Sequence, residues 1–335
     1  MITFERLENI RLSAQPVSHR ILGQSFLKAC YDAGGRVDIT VHNRERFPDK
    51  PVVIAMNHTD RYNYWPLQYW MYKHMRRYTA TWVKGKYYER ALVARFMEAT
   101  NNIPTVSKGY VVSKDFMLTT GRKPTDAEYR SLKGLLDSQL YDHQSAARSA
   151  LAPPAIFDTP RSILGQPYDP ATESWPEAAA ASYNGLMARF VELNRRANGL
   201  GCDIIVFPEG TRSIRVANGH IGLAQMALAL DAEILPVGCS GSHLCYPAGS
   251  PWPRPGKIDY RVGHPISVAK LRELAPVRAF TPFDPSDERE LREPFQNLVD
   301  YVMDRINELV DQRHVRLDDE DHNVSGAHTA ADRFL

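Results

Sequence analysis

Phe207-Pro208-Glu209-Gly210-Thr211-Arg212-Ser213 follows an apolar run from Cys202 to Val206. An apolar run that breaks into proline, glycine and charge reads as a buried strand emptying into a loop, and α/β proteins keep their chemistry in such loops. Pro208 and Gly210 permit a tight backbone. Glu209 offers a carboxylate, and Thr211, Arg212 and Ser213 offer donors suited to phosphate or another anion. Taken alone the stretch is equally an ordinary polar turn, since Pro-Glu-Gly is common turn chemistry.

A second polar loop shifts that balance. Asn57-His58-Thr59-Asp60-Arg61-Tyr62-Asn63 comes directly after the apolar run Pro51 to Met56. A histidine where a buried strand ends can act as a general base near neutral pH. His74, His143, His220, His243 and His264 have weaker placement and read as surface or core residues.

Strand-like runs lie at 37–41, 51–56, 78–83, 102–106, 203–207, 232–237 and 258–262. Helix-like stretches lie between them at 64–75, 86–100, 178–197 and 221–230. Strands alternating with helices of this length predict an α/β fold with a mostly parallel sheet covered by helices. The spacing favours one domain over residues 1–313. The stretch 110–174 breaks the rhythm with a predicted helix at 131–151 and a proline- and glycine-rich segment, and reads as an inserted helical segment or lid. Apolar residues at Leu291, Phe295, Leu298, Val302, Ile306 and Leu309 predict an amphipathic helix over 287–313. The polar stretch 314–335 reads as a mobile tail.

Composition narrows the classes. A net charge of +2 argues against a general nucleic-acid binder. Lys73, His74, Arg76, Arg77, Lys84 and Lys86 cluster around a predicted strand, either as a solvated face or as a surface for a phosphorylated carrier or anionic membrane. Cys30, Cys202, Cys239 and Cys245 show no paired spacing and fit reduced cytosolic thiols rather than a disulfide frame or zinc site. Glu5, Arg6, Glu8 and Arg11 interrupt the N-terminal apolar residues, which reads as neither a signal peptide nor a span. No stretch approaches the ~18 uninterrupted apolar residues of a membrane helix. A lipid-handling protein built this way would be cytoplasmic, or peripheral at the inner membrane face.

Asn57-His58 followed by Phe207–Ser213 resembles the glycerolipid acyltransferase family, the lysophosphatidic acid and glycerol-3-phosphate acyltransferases. The resemblance runs from Val37 to Ser267, and its third motif, Phe-Pro-Glu-Gly-Thr-Arg-Ser, is complete. The first motif, Asn-His-x-x-x-x-Asp, carries Asn63 where the family has aspartate. Lys108 stands nearest the arginine of the second motif, and Pro236 in the strand Ala232 to Gly238 stands for the fourth. The resemblance implies direct transfer of a fatty acyl group from acyl-CoA or acyl-carrier protein to a lysophospholipid or glycerol phosphate, with no metal, cofactor or covalent acyl-enzyme.

Within that resemblance His58 is the base, and Asn63 orients it through its amide oxygen. Asp60 is either a substitute carboxylate or the cap of the helix near Tyr64. Lys108 meets an acceptor phosphate, Glu209, Gly210, Thr211 and Arg212 shape and charge the acceptor pocket, and Pro236 lies beside the acyl chain or ends a strand. The alternatives are a different alcohol or amine acceptor in a specialised pathway, a non-catalytic acyl-binding homologue, and a thioester hydrolase.

Overall fold

The computed structural model describes residues 1–33, 37–142, 144 and 146–316. Strands β1 (Val37–His42), β2 (Val53–Met56), β3 (Thr79–Lys84), β4 (Asn102–Thr105), β5 (Arg161–Ile163), β6 (Gln166–Tyr168), β7 (Asp203–Val206), β8 (Ile234–Ser240) and β9 (Gly256–Val262) form two sheets. The main sheet has seven strands in the order β1-β9-β8-β2-β7-β3-β4. Every neighbouring pair in it is parallel except β8 with β9. The fold is α/β, with a mostly parallel sheet covered by helices, as the alternation of the sequence predicts.

The central strands are apolar on both faces because both are covered. Val53 and Ala55 join the larger core, which includes residues of the helices Trp175–Gly199, Gly222–Leu230 and Arg292–Asn307. Ile54 and Met56 point the other way, into a core shared with the helix Trp65–Met75. β2, β3, β4, β7 and β8 run in one direction, so their C-terminal ends share an edge. His58, Lys84, Lys108 and Phe207 all emerge there.

Several elements differ from their sequence limits for local reasons. The helix expected at 131–151 is Asp126–Asp142, begun where Glu128 accepts from the Thr125 amide at 2.7 Å. The stretch 86–100 divides into a short turn, Gly85–Tyr88, and the helix Ala91–Ala99. The C-terminal amphipathic stretch divides at Leu291 into Pro285–Glu290 and Arg292–Asn307, because Asp284 starts a separate turn by accepting from the Ser286 and Asp287 amides. Pro153 to Pro176, read as irregular, contains the β5–β6 hairpin. Its turn residues Leu164 and Gly165 both have positive φ, as tight hairpins require. Pro236 sits inside β8, not at its end, with Ala55 opposite it and its carbonyl accepting from Gly263 N at 2.8 Å.

The basic cluster around β3 separates in three dimensions. A strand of this length spans about 20 Å, so Lys84 lies at one edge of the sheet and Arg77 at the other. Lys73 pairs with Asp32 at 2.8 Å, and Arg77 Nε donates to buried Asp203 at 2.8 Å. Of the tail expected over 314–335, only residues 314–316 fall among the described residues. His314 is 0% exposed, and residues 317–335 lie outside the described residues.

Asp203 Oδ1 also accepts from Val52 N at 3.1 Å, tying the starts of β2 and β7. Asp203→Ala strands the Arg77 guanidinium beside an unpaired amide. We expect a stability loss of about 3–5 kcal/mol in urea unfolding, the usual cost of breaking one side of a buried ion pair.

Candidate active site

The site is assembled on the backbone of His58. Glu209 is turned inward with 3% of its surface exposed. Its Oε2 accepts from His58 N at 2.9 Å and its Oε1 from Ala217 N at 3.0 Å. From the same loop Ser213 N donates to His58 O at 2.8 Å. Both backbone groups of His58 are therefore held by the loop after β7. Burial pushes the Glu209 carboxyl up to about 7, against the pull of the two amides that favour its charged form.

The imidazole is fixed by packing and by one side chain. Its ring stacks on Phe207 with centroids 4.1 Å apart, and Phe207 meets the edge of Tyr64. Asn63 Oδ1 lies 3.3 Å from Nδ1. Asn63 Nδ2 donates to Asn57 O at 2.8 Å, which settles the amide so that its oxygen faces the ring. The Asn63 carbonyl accepts from buried Tyr260 Oη at 2.6 Å. Asn57 completes the frame by clasping Cys239 with both amide atoms, Nδ2 to O at 3.0 Å and Oδ1 from N at 2.7 Å. With Nδ1 protonated toward Asn63, the lone pair sits on Nε2. Burial, with smaller contributions from Arg212 and Lys84, pulls the ring down to about 4, so it is neutral and able to accept a proton near neutral pH.

Other expected residues take different places. Asp60 does not meet the ring: Oδ1 accepts from Tyr62 N at 2.8 Å and Oδ2 from Thr59 Oγ1 at 3.0 Å. It closes the turn ahead of the helix rather than capping it, and the N-cap position is Tyr64. Glu209, expected to face an acceptor, spends both oxygens on backbone amides. Gly210 has φ of 64°, and a Cβ there would come within 2.9 Å of His220, so the loop needs glycine. Thr211 and Arg212 are exposed. Lys108, expected at a phosphate, instead pairs with Asp137 at 2.8 Å and donates to Tyr141 Oη at 2.8 Å, because the Asp126–Asp142 helix packs against its own. Pro236 is buried mid-strand.

Lys84 and Arg212 lie within electrostatic reach of His58, and Lys86 and Arg61 extend the cluster away from it, Arg61 over the Tyr87 ring. Lys84 lies within electrostatic reach of Lys86 and Arg212, and Lys86 within reach of Arg212 and Arg61. Burial, then this crowding, pulls both lysines below their ordinary range. None of the four forms a salt bridge with a carboxylate among the described residues. Lys84 and Lys86 were visible in the sequence as part of a charge cluster. Arg61 was visible only as an unremarked member of the His58 loop.

On the other side of Tyr64 an apolar groove opens, with an empty volume of about 610 Å³ that is partly open to solvent. Leu22, Phe26, Leu27 and Phe96 line one side, and Trp65, Gln68, Tyr69 and Tyr72 the other. The latter four share one helix face and extend the groove about 10 Å from the site end. The arrangement offers a neutral imidazole and positive charge at one sheet edge, with an apolar groove that starts at Tyr64 and runs toward Arg77 and Thr79 at the opposite edge.

Glu209→Gln tests the frame. An amide can accept through one atom only, so its NH₂ would face a backbone N–H. We expect a stability loss of about 1–3 kcal/mol from the unsatisfied donors, read by chemical unfolding, with turnover reduced further than the unfolded fraction explains.

No family model and no curated sequence matches this chain. Among solved structures, the 1-acyl-sn-glycerophosphate (LPA) acyltransferase PlsC from Thermotoga maritima aligns over 86% of this chain and 78% of its own, at 15% identity and a TM-score of 0.38.

Proposed function

We propose that this protein is an acyltransferase that moves a fatty acyl group from a thioester donor, acyl-CoA or acyl-carrier protein, to a hydroxyl of an acceptor bearing an anionic group, such as a lysophospholipid or glycerol phosphate. The observation that carries this reading is a neutral, oriented His58 within reach of the cations Lys84 and Arg212, with an apolar groove opening beyond Phe207 and Tyr64. Charge and groove together suit a substrate pair with a phosphate at one end and a hydrocarbon chain at the other.

In this reading His58 Nε2 takes the acceptor's hydroxyl proton as its oxygen attacks the thioester carbonyl. The Nδ1–H to Asn63 Oδ1 bond holds the ring in the required tautomer. The tetrahedral oxyanion forms in the field of Arg212 and Lys84. Collapse breaks the C–S bond, and the proton on Nε2 passes to the leaving sulfur, giving an ester and a free thiol. Arg61, Lys84, Lys86 and Arg212 hold the acceptor's anion, and the groove along Trp65–Met75 takes the acyl chain. No described helix is long and apolar enough to cross a membrane. The exposed side chains of Val17, Ile21, Leu92 and Trp252 on the groove's side of the molecule suit peripheral contact with lipid.

Release of thiol from acyl-CoA or acyl-carrier protein, with and without glycerol phosphate, a lysophospholipid, or other alcohols and amines, tests the reading. Acceptor-dependent release supports transfer. Acceptor-independent release replaces transfer with hydrolysis, and silence with every donor and acceptor points to an acyl-binding protein. His58→Ala should cost about 10²–10⁴-fold in turnover while the protein stays folded by circular dichroism. Lys84→Ala should raise the acceptor KM about 10- to 100-fold, the worth of one charge-assisted bond of about 1.5–3 kcal/mol, lower kcat through the weakened field at the oxyanion, and leave the donor KM unchanged.

Glu209 takes up a proton as pH falls through about 7 and then holds only one of its two amides well, so activity should begin to decline there; it should be lost as pH drops through about 4, because the protonated ring cannot accept a proton. Asn63→Asp places a carboxylate at the same hydrogen bond. It should raise the ring pKa by roughly one to three pH units, move the acid limb upward with it, and keep or increase turnover near neutrality. Asn63→Ala should lower turnover with the limb left low. Titration of the His58 ring by NMR reads both.

A further inference from the structure

The loop that holds His58 has no regular structure from Phe207 to His220, and Ile214 and Arg215 within it are exposed. Something else must keep its Ser213 and Ala217 amides aimed at His58 and Glu209. The candidate is the segment after the last long helix, residues 312–316. Val216 N donates to His314 O at 2.8 Å, and Arg215 Nη1 donates to Val315 O at 2.9 Å. His314 Nδ1 donates to Ile214 O at 2.5 Å. The segment is itself anchored on the core by Asp311 N to Ser240 Oγ at 3.0 Å and Arg316 N to Asn307 Oδ1 at 2.7 Å. It forms a strap over the back of the loop.

His314 is wholly buried and packs edge-on against His243, and its Nε2 has no partner. Burying that nitrogen unpaired is unfavourable. The residue is therefore held there for what Nδ1 and its backbone do, which is to bind the loop on both sides of Arg215.

We infer that His314 is a positioning residue: through Ile214 and Val216 it holds the Ala217 amide on Glu209, and through Glu209 it sets the backbone of His58. This rests on the proposed acyl transfer for its kinetic consequence, but its structural consequence stands apart from any activity. Asparagine places its amide nitrogen where Nδ1 lies, so His314→Asn keeps the donation to Ile214 O. His314→Gln places its donor one atom further out and does not.

The test is hydrogen–deuterium exchange of the peptide covering 209–217 in the full chain, beside kinetics and melting temperature, for His314→Ala, His314→Gln, His314→Asn and Arg215→Ala. Alanine and glutamine should speed exchange of this peptide several-fold. They should cut kcat at least tenfold, toward the ~10²-fold that an ångström of misplacement costs, with the donor KM unchanged because the groove lies elsewhere. Asparagine should restore both. Arg215→Ala removes one strap bond from an exposed side chain, and should show a smaller rise in exchange even if the alanine variant at 314 does not fold. Unchanged exchange in a folded His314→Ala protein overturns the proposal, as does equal behaviour of the asparagine and glutamine variants. If the wild-type chain transfers no acyl group, the functional reading falls and the exchange comparison still decides the strap.

Discussion

The carboxylate of Glu209 is the contact on which the rest of the site depends. It lies buried between two backbone amides, one on the residue that bears the base and one on the far limb of its own loop. A carboxylate has two acceptor oxygens in a fixed plane, so it sets the separation of those amides as well as satisfying them. The strands after which they emerge, β2 and β7, are neighbours in register, and the sheet would bring the loops close in any case. Glu209 converts that closeness into a defined position for His58. Its burial makes the arrangement sensitive: a charged group in apolar surroundings holds its place only while both donors stay on it.

Around this contact the molecule separates two kinds of surface. Charge collects at the strand ends, where Lys84, Lys86, Arg61 and Arg212 crowd without forming a salt bridge among the described residues. Burial, and then the like charges beside them, depress the two lysines. Such crowding is relieved by an anion. The apolar groove lies on the far side of the Tyr64–Phe207 ring pair, which separates it from the His58 imidazole. The same pair shields the imidazole and keeps it neutral.

Much of this was legible in one dimension. The alternation of apolar runs with helical stretches was enough for the sheet, because central parallel strands must be apolar on both faces and cannot be mistaken for surface ones. His58 and Asn63 were legible because they lie in one loop, and their hydrogen bond is local. Glu209 was noticed but turned the wrong way, since nothing in Pro-Glu-Gly says whether a carboxylate faces water or a neighbouring amide. Lys108 was misread for a related reason: Asp137 and Tyr141, which engage it, come from a helix whose packing partner the sequence does not name. The split of the basic cluster around β3 follows from strand length alone. Tyr260 and His314 left no signal, because each acts on a loop distant in the chain.

Tyr260 shows what that distance entails during synthesis. Its hydroxyl holds the carbonyl of Asn63 across a separation of 197 residues, and it lies on the one strand that enters the sheet antiparallel to its neighbour β8. As the chain emerges from the ribosome, β2 and the loop bearing the base exist long before the strand that orients their amide. Contacts of such long sequence separation form late and slowly. The nascent protein therefore carries its histidine without the means to aim it. A half-made chain would carry a loose imidazole, and the ordered site would arrive together with completion of the fold.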